Sequence, residues 1–275
     1  MSNNFSVSMS VYDKDDPECF REAFLSVVNQ TLVPSEIVLV IDGPISIKTK
    51  DIISEFKSNY LYLKVIDLEY NLGHGNSRRV GLNECVNDIV ALMDSDDYSV
   101  PNRFELQYEF LLNHPETSIV GGQIEEFIDN KEYIVSKRVV PTEDKQIVKY
   151  LKIRCPFNQM TVMFRKSDVI SAGGYLDFYH NEDYYLWIRM YLKNFKFCNL
   201  PEVLVKARVN RDFYKRRGGV KYFLSEYKIQ KFMYTNNIIS TYRFLKNITI
   251  RFILQIVLSN GLRGFVFKNL ARKKV

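Results

Sequence analysis

Cysteine is scarce in this 275-residue chain, and the four that occur (Cys19, Cys85, Cys155 and Cys198) lie far apart. No C-x-x-C pair is present, which argues against a disulfide-stapled scaffold or a zinc ribbon and fits a reducing compartment. Twelve glycines and eight prolines are too few for a fibrous or low-complexity protein. No uncharged apolar run reaches the roughly 18 residues that a membrane-spanning helix needs. The nearest approach, 248–266, is interrupted by Arg251, Gln255, Ser259, Asn260, Gly261, Arg263 and Gly264. The opening MSNNFSVSMSVYDKDD has no basic stretch ahead of an apolar one, so the expected location is the cytoplasm. Two phosphate-binding signatures are also missing: there is no Gly-Lys-Ser/Thr loop and no G-x-G-x-x-G.

What remains is an ordinary globular composition, 46% hydrophobic and 25% charged, with an uneven distribution of charge. Residues 206–275 hold seventeen Lys and Arg against only Asp212 and Glu226, whereas residues 1–205 hold 21 basic and 30 acidic groups. An acidic body with a basic tail points to an anionic partner, either nucleic acid or a phospholipid surface.

The first hundred residues alternate strand and helix. Strands are expected at Ser6–Tyr12, Ile37–Ile41, Tyr62–Ile66 and Ile89–Met93, and helices at Phe20–Gln30, Ile47–Ser58 and Gly75–Cys85. Such alternation predicts a mostly parallel sheet flanked by helices on both faces. Farther on, helices are expected at Asn102–Asn113, Lys145–Ile153 and Asp183–Leu192, with strands at Ile119–Gln123 and Thr161–Phe164. Lys131–Val140 reads as a strand or an extended loop. After Val209 the pattern turns to helices rich in Lys, Arg, Phe and Tyr, which places a boundary near residue 210, between a body of residues 1–210 and a basic, amphipathic helical region of residues 211–275.

In open parallel sheets a ligand sits at the carboxyl ends of the strands, so the residues just after each apolar run are the candidates. Tyr12-Asp13, Asp42-Gly43 and Asp94-Ser95-Asp96-Asp97 each deliver a carboxylate there. For Asp13 or Asp42 alone, a simple turn serves as well. Three carboxylates within four residues repel one another, and a hard divalent cation, Mg²⁺ or Mn²⁺, is their natural partner. The plain alternative is a solvated acidic turn ahead of Pro101. The loop Asn71-Leu72-Gly73-His74-Gly75-Asn76-Ser77-Arg78-Arg79 opens a helix with two arginines, a setting that suits phosphate. His180-Asn181-Glu182-Asp183 leads into another helix. Its acids suit the helix N-terminus in any case, yet one of them could act as a general base.

Together these segments resemble the family 2 glycosyltransferases of the GT-A fold, over roughly residues 5–205. The resemblance rests on Ser6-to-Asp13, Ser26-Val27-Val28-Asn29-Gln30-Thr31, Glu36-to-Gly43, the Asn71-to-Gly81 loop, Asp94-x-Asp96-Asp97 and Glu182-Asp183-x-x-Leu186-Trp187-x-Arg189. MDSDDYSVPNRFELQ and VMFRKSDVISAGGY look like the subgroup that builds bacterial O-antigen and exopolysaccharide repeats. The resemblance implies an inverting, metal-dependent transfer of a hexose from UDP-glucose or UDP-galactose to a sugar on undecaprenyl diphosphate, in β1,3 linkage to GlcNAc or GalNAc. Tyr12, Asp13 and Asp42 would hold the uridine, with Asn71 and Arg78 reaching the nucleotide. Asp94 would face the ribose or the metal's water shell, Asp96 would ligate Mn²⁺ or Mg²⁺, and Asp183 would be the base. Glu182, His180 and Trp187 would stand on the acceptor side. Ser10 and Asn158-Gln159 depart from the common pattern, where proline and Asn-His often occur. The basic tail, with Phe244, Phe252, Leu258, Phe265 and Phe267, would hold the enzyme on the anionic inner face of the membrane. Packing of those aromatics on the body is the alternative. A nucleotidyltransferase using the same carboxylate–metal logic would consume a nucleoside triphosphate instead. A nucleic-acid binder would leave the carboxylates unexplained, so no nucleic-acid partner is expected.

Overall fold

The computed structural model describes residues 4–209, 218–259, 261–263 and 266. Parallel strands β1 (Phe5–Val11), β2 (Glu36–Asp42), β3 (Leu63–Leu68) and β4 (Ile89–Met93) alternate with helices α1 (Pro17–Val28), α2 (Ile47–Asn59) and α3 (His74–Glu84). There follow β5 (Tyr98–Ser99), α4 (Arg103–Asn113), β6 (Thr117–Phe127), β7 (Ile134–Arg138), α5 (Asp144–Leu151), β8 (Met163–Arg165), α6 (Lys166–Ser171), α7 (Glu182–Leu192) and β9 (Lys196–Arg208). Helices α8 (Val220–Thr235) and α9 (Thr241–Phe252) close the described chain, α9 continuing into a π-helical turn at Ile253–Val257.

Among the described residues nine strands form one sheet in the order β3-β2-β1-β4-β8-β6-β9-β5, with β7 paired to β6. The first four are parallel, and β8 enters antiparallel between β4 and β6. The two-residue β5 hydrogen-bonds to β9 at the far edge and also touches α1, where Ser99 N–H donates to Ser26 Oγ at 3.0 Å. Gln30 Nε2 fastens the same junction by donating to Val100 O at 2.7 Å. The sheet is therefore mixed and curled, and its two faces bury separate apolar layers.

Side-chain alternation assigns the layers. Phe5, Val7, Met9 and Val11 of β1 pack with Phe20, Phe24, Phe56 and Phe104 on one face. Val38, Val40, Val90 and Leu92 point to the other, against Leu82, Trp187, Ile188, Ile229 and Met233. On that second face β1 presents serines, and Gly81 lets α3 lie close on them: a Cβ there would fall 2.5 Å from Ser8 Oγ. This close seating brings the N-terminal turns of α3 beside the carboxyl end of β4.

Helices α8 and α9 pack on the same face. Ile229 and Met233 share the Trp187 layer, and Asn247 Nδ2 donates to Lys152 O at 3.0 Å. Arg251 is buried, donating Nε to Glu226 at 2.5 Å and Nη2 to Ile153 O at 2.6 Å. Phe244, expected at a membrane, is partly buried and stacks on Tyr234. Phe252 is 46% exposed, and Phe265 and Phe267 lie outside the described residues.

Candidate active site

β2 ends at a polar residue that a following loop holds in place. Asp42, at the end of β2, is buried, and its Oδ1 accepts from Leu72 N at 2.7 Å. Its carbonyl accepts from Asn71 Nδ2 at 3.1 Å. Gly43 makes this contact possible with φ of +83°, since a Cβ there would fall 2.5 Å from Asn71 N. Tyr12-Asp13 follows β1, the strand paired in parallel with β2. Tyr12 N–H donates to Asp15 Oδ2 at 3.2 Å, while Asp13 is exposed.

The segment after β4 alternates. Asp94 is half-buried and Asp96 exposed, whereas Ser95 and Asp97 are buried. The two inward residues anchor the rim. Ser95 Oγ donates to Asp15 Oδ2 at 2.6 Å, and Asp97 Oδ1 accepts from Arg208 N at 2.7 Å. Burial pushes the Asp15 carboxyl up to about 6, and burial together with Asp96 and Asp94 raises Asp97 well above the usual carboxylate range. Arg208 Nε holds the Asp96 carbonyl at 3.1 Å, and its guanidinium also pairs with Glu22 at 2.6 Å. Below the rim lies Arg103, fully buried, donating to Leu92 O at 2.7 Å, with its pKa lowered by burial to about 9.

At the centre is Arg78, with a side chain only 5% exposed. Its Nη2 donates to Asp94 Oδ1 at 2.7 Å and its Nη1 to Asp183 Oδ1 at 3.0 Å. Its Nε donates to His74 Nε2 at 3.0 Å, and His74 Nδ1 lies 2.6 Å from Glu182 Oε1. Burial would discharge the guanidinium, but Asp183 and Asp94 more than offset it and hold the cation. Burial likewise raises the Asp183 carboxyl to about 7, against the opposing pull of Arg78 and with the support of Glu182. For Glu182 burial acts upward too, yet the His74 hydrogen bond keeps the group below its ordinary value.

The structure thus gathers Arg78, Asp94, Asp183 and, through His74, Glu182 in one hydrogen-bonded cluster, with Asp96 two residues beyond Asp94 and Asp42 and Asn71 joined at the end of β2. The Asp94 carboxylate, read as facing an ion or a ribose, accepts from Arg78 through Oδ1. One expectation needs correction. Trp187, read as facing the acceptor, is fully buried, its ring edge-on to Phe157 at 5.6 Å, and belongs to the core. His180 is exposed on the loop ahead of α7, at φ +55°, with its ring 4.3 Å from that of Tyr179. Asn158 is buried and donates to Gly122 O at 2.8 Å, and Gln159 Nε2 donates to the Tyr175 hydroxyl at 3.2 Å. Asp15, Arg103 and Arg208 escaped the sequence reading. Asp15 and Arg208 show no motif of their own, and Arg103 reads as one residue of an amphipathic helix.

For a divalent cation the donors are the hard carboxylate oxygens of Asp96 and, beside it, Asp94. Among the described residues no three His, Cys, Asp or Glu side chains are gathered into a cage. The set fits an ion that takes one or two protein carboxylates and fills its other positions with diphosphate oxygens and water, as Mg²⁺ commonly does.

A mixed α/β sheet with carboxylates, a buried arginine and a raised-pKa acid gathered near its strand ends is an arrangement suited to group transfer. Known proteins sharpen this. The Glycosyl transferase family 2 profile matches residues 6–169, and the chain belongs to that family. A UDP-Gal:alpha-D-GlcNAc-diphosphoundecaprenol beta-1,3-galactosyltransferase of Escherichia coli is 36% identical over 271 residues, 98% of this chain and 97% of its own length. The amylovoran biosynthesis glycosyltransferase AmsE of Erwinia amylovora is 38% identical over 227 residues, 82% of this chain and 84% of its own. Among solved structures, S. aureus TarS 1-349 in complex with UDP-GlcNAc superposes with a TM-score of 0.68 at 19% identity, covering 96% of this chain and 75% of that one. The mannosyltransferase PcManGT of Pyrobaculum calidifontis, in complex with GDP-Man and Mn2+, superposes with a TM-score of 0.65 at 12% identity, covering 94% and 71%. These two show the shared fold, the GT-A arrangement expected from the motifs.

Proposed function

We propose that this glycosyltransferase moves a hexose, galactose or glucose, from its UDP-sugar to GlcNAc or GalNAc on undecaprenyl diphosphate. The linkage is β1,3, formed with inversion during assembly of an O-antigen, capsule or exopolysaccharide repeat. The observation that carries the reading is Arg78, which joins the carboxylate at the end of a central strand to the acid at the start of α7. Tyr12, Asp13, Asp42 and Asn71 take the uridine, and Arg78 reaches from the carboxylates toward the diphosphate. Asp183, whose carboxyl burial raises to about 7 against the pull of Arg78, is charged in a growing fraction as the pH rises through neutrality. It then accepts the acceptor's hydroxyl proton. The hydroxyl oxygen bonds to the anomeric carbon from the face opposite UDP, and UDP leaves with the electron pair of the broken C–O bond. Glu182 and His180 border the acceptor. A Mn²⁺ or Mg²⁺ on Asp96, beside Asp94, would supply charge stabilisation to the departing diphosphate when bound. PcManGT, similar in fold, is in complex with GDP-Man and Mn2+, which is in keeping with this.

The same reading places the enzyme on the cytoplasmic face of the membrane that holds its acceptor. No helix of the described residues is long and apolar enough to cross a membrane. Instead, α9 and the π-helical turn after it expose Tyr242 (74%), Leu245 (58%), Phe252 (46%) and Ile253 (45%). Lys221, Lys228, Lys231, Arg243 and Lys246 are exposed nearby, each suited to an anionic lipid surface.

The test is a screen of UDP-glucose, UDP-galactose and their N-acetyl forms against synthetic lipid-diphosphate GlcNAc and GalNAc, with and without Mn²⁺. Release of UDP and a β-linked disaccharide is expected, with Asp96→Asn losing the metal-assisted part. Consumption of a nucleoside triphosphate with release of diphosphate would support a nucleotidyltransferase instead.

A further inference from the structure

We infer that His74 is a positioning residue for transfer: it fixes the plane of Arg78 so that the guanidinium touches Asp183 through one oxygen only. The inference rests on the reading of Asp183 as the base. Arginine has donors and no acceptor, so the 3.0 Å contact from Arg78 Nε requires a lone pair on His74 Nε2. The ring proton then sits on Nδ1 and is donated to Glu182 Oε1 at 2.6 Å. His74 and Arg78 stand one turn apart on α3, while Glu182 and Asp183 are neighbours in the first turn of α7. Two parallel links therefore cross between the helix starts, His74 to Glu182 and Arg78 to Asp183. Gly75 keeps the crossing short, because a Cβ there would fall 3.3 Å from Glu182 Cβ.

The consequence concerns how Arg78 spends its donors. With Nε committed to His74, Nη2 faces Asp94 and Nη1 faces Asp183 Oδ1. Released from His74, the guanidinium would turn to meet one carboxylate with two parallel N–H groups, its preferred geometry. Such a fork on Asp183 would occupy both oxygens of the base, and a fork on Asp94 would leave Asp183 without its cation. Either pose degrades proton transfer, and neither disturbs the uridine contacts at Asp42 and Asn71.

Three substitutions separate the bonds. In His74→Gln the side-chain carbonyl reaches where Nε2 sits and can accept from Arg78; in His74→Asn the shorter amide reaches only the Nδ1 position and Glu182; His74→Leu makes neither bond. Because the His74 side chain is 49% exposed, all three should fold, which thermal melting of the full chain verifies. Measured with UDP-galactose and the lipid-diphosphate acceptor, kcat should fall about 10- to 100-fold in His74→Leu and His74→Asn, a larger change than in the donor KM, because of the nucleotide contacts only Arg78 is turned. His74→Gln should recover most of the loss. Wild-type rates in Leu and Asn, or a Gln variant as slow as Leu, would overturn the inference. Nitrogen-15 NMR of the histidine rings supplies a readout that needs no turnover. At neutral pH, His74 should carry its proton on Nδ1 with Nε2 bare, and a proton on Nε2 would refute the bond itself. If the wild-type chain shows that ring state but transfers no hexose, the reading of the reaction fails and not the bond.

Discussion

At the scale of single residues, the site is an arrangement of acids whose charges the protein supplies with partners before any substrate arrives. Arg78, Arg103 and Arg208 surround Asp94, Asp96, Asp97 and Asp183. The repulsion inferred from three carboxylates in four residues is thus largely answered by arginines. Asp183 yields a pH prediction. Burial raises its pKa to about 7, and a protonated acid cannot accept a proton. kcat should therefore climb as pH rises through roughly 6 to 8 and level off above; a flat profile across that window would contradict the assignment. Replacing Arg78 by leucine leaves two carboxylates without their cation, so urea unfolding should show a loss of about 3 kcal/mol. Arg78, Asp94 and Asp183 were legible because each sits in a motif at a strand end or helix start. Their mutual bonding was not, because it joins residues separated by 16 and 105 positions.

At the scale of elements, loops are held against strand ends by small-residue contacts, and these are sensitive points. Gly43 combines a φ of +83° with Asn71 backbone at 2.5 Å from where a Cβ would lie. Gly43→Ala should push the Asn71–Gly73 loop outward and weaken UDP binding, measured by calorimetry, by about 10-fold while the core melts almost as before. Unchanged UDP affinity would show that this loop does not shape the uridine site. The strands and helices of the first hundred residues were readable from periodicity, and β4 was read to the residue, since buried β-branched runs between polar turns leave little choice. Two strands were missed. β5 has only two residues, too few for any pattern. β9 contains Pro201 and pairs with β6 through several register shifts, so its side chains do not alternate cleanly.

At the scale of the whole molecule, the change of composition near residue 210 marks a change of surface more than a separate core. Ile229 and Met233 share a layer with Trp187, and Arg251, one of the tail's cations, is committed to Glu226 in the interior. What the helices leave outward is the stripe of Tyr242, Leu245, Phe252 and Ile253 beside exposed lysines. Changing Leu245 and Phe252 together to glutamate should cut co-sedimentation with anionic vesicles severalfold, at unchanged thermal stability because both side chains are exposed. Equal sedimentation would place the membrane contact elsewhere or remove it. The sequence could show that the tail was basic and aromatic. Which aromatics turn inward depends on the packing of α8 and α9 against α7, a tertiary choice that local pattern does not encode.

The most direct measurement of the central claim is made on Asp183→Asn, by following UDP binding and hexose transfer in the same preparation. The account predicts UDP affinity close to that of the wild type and transfer reduced by roughly 100-fold or more. Transfer at the wild-type rate would contradict it.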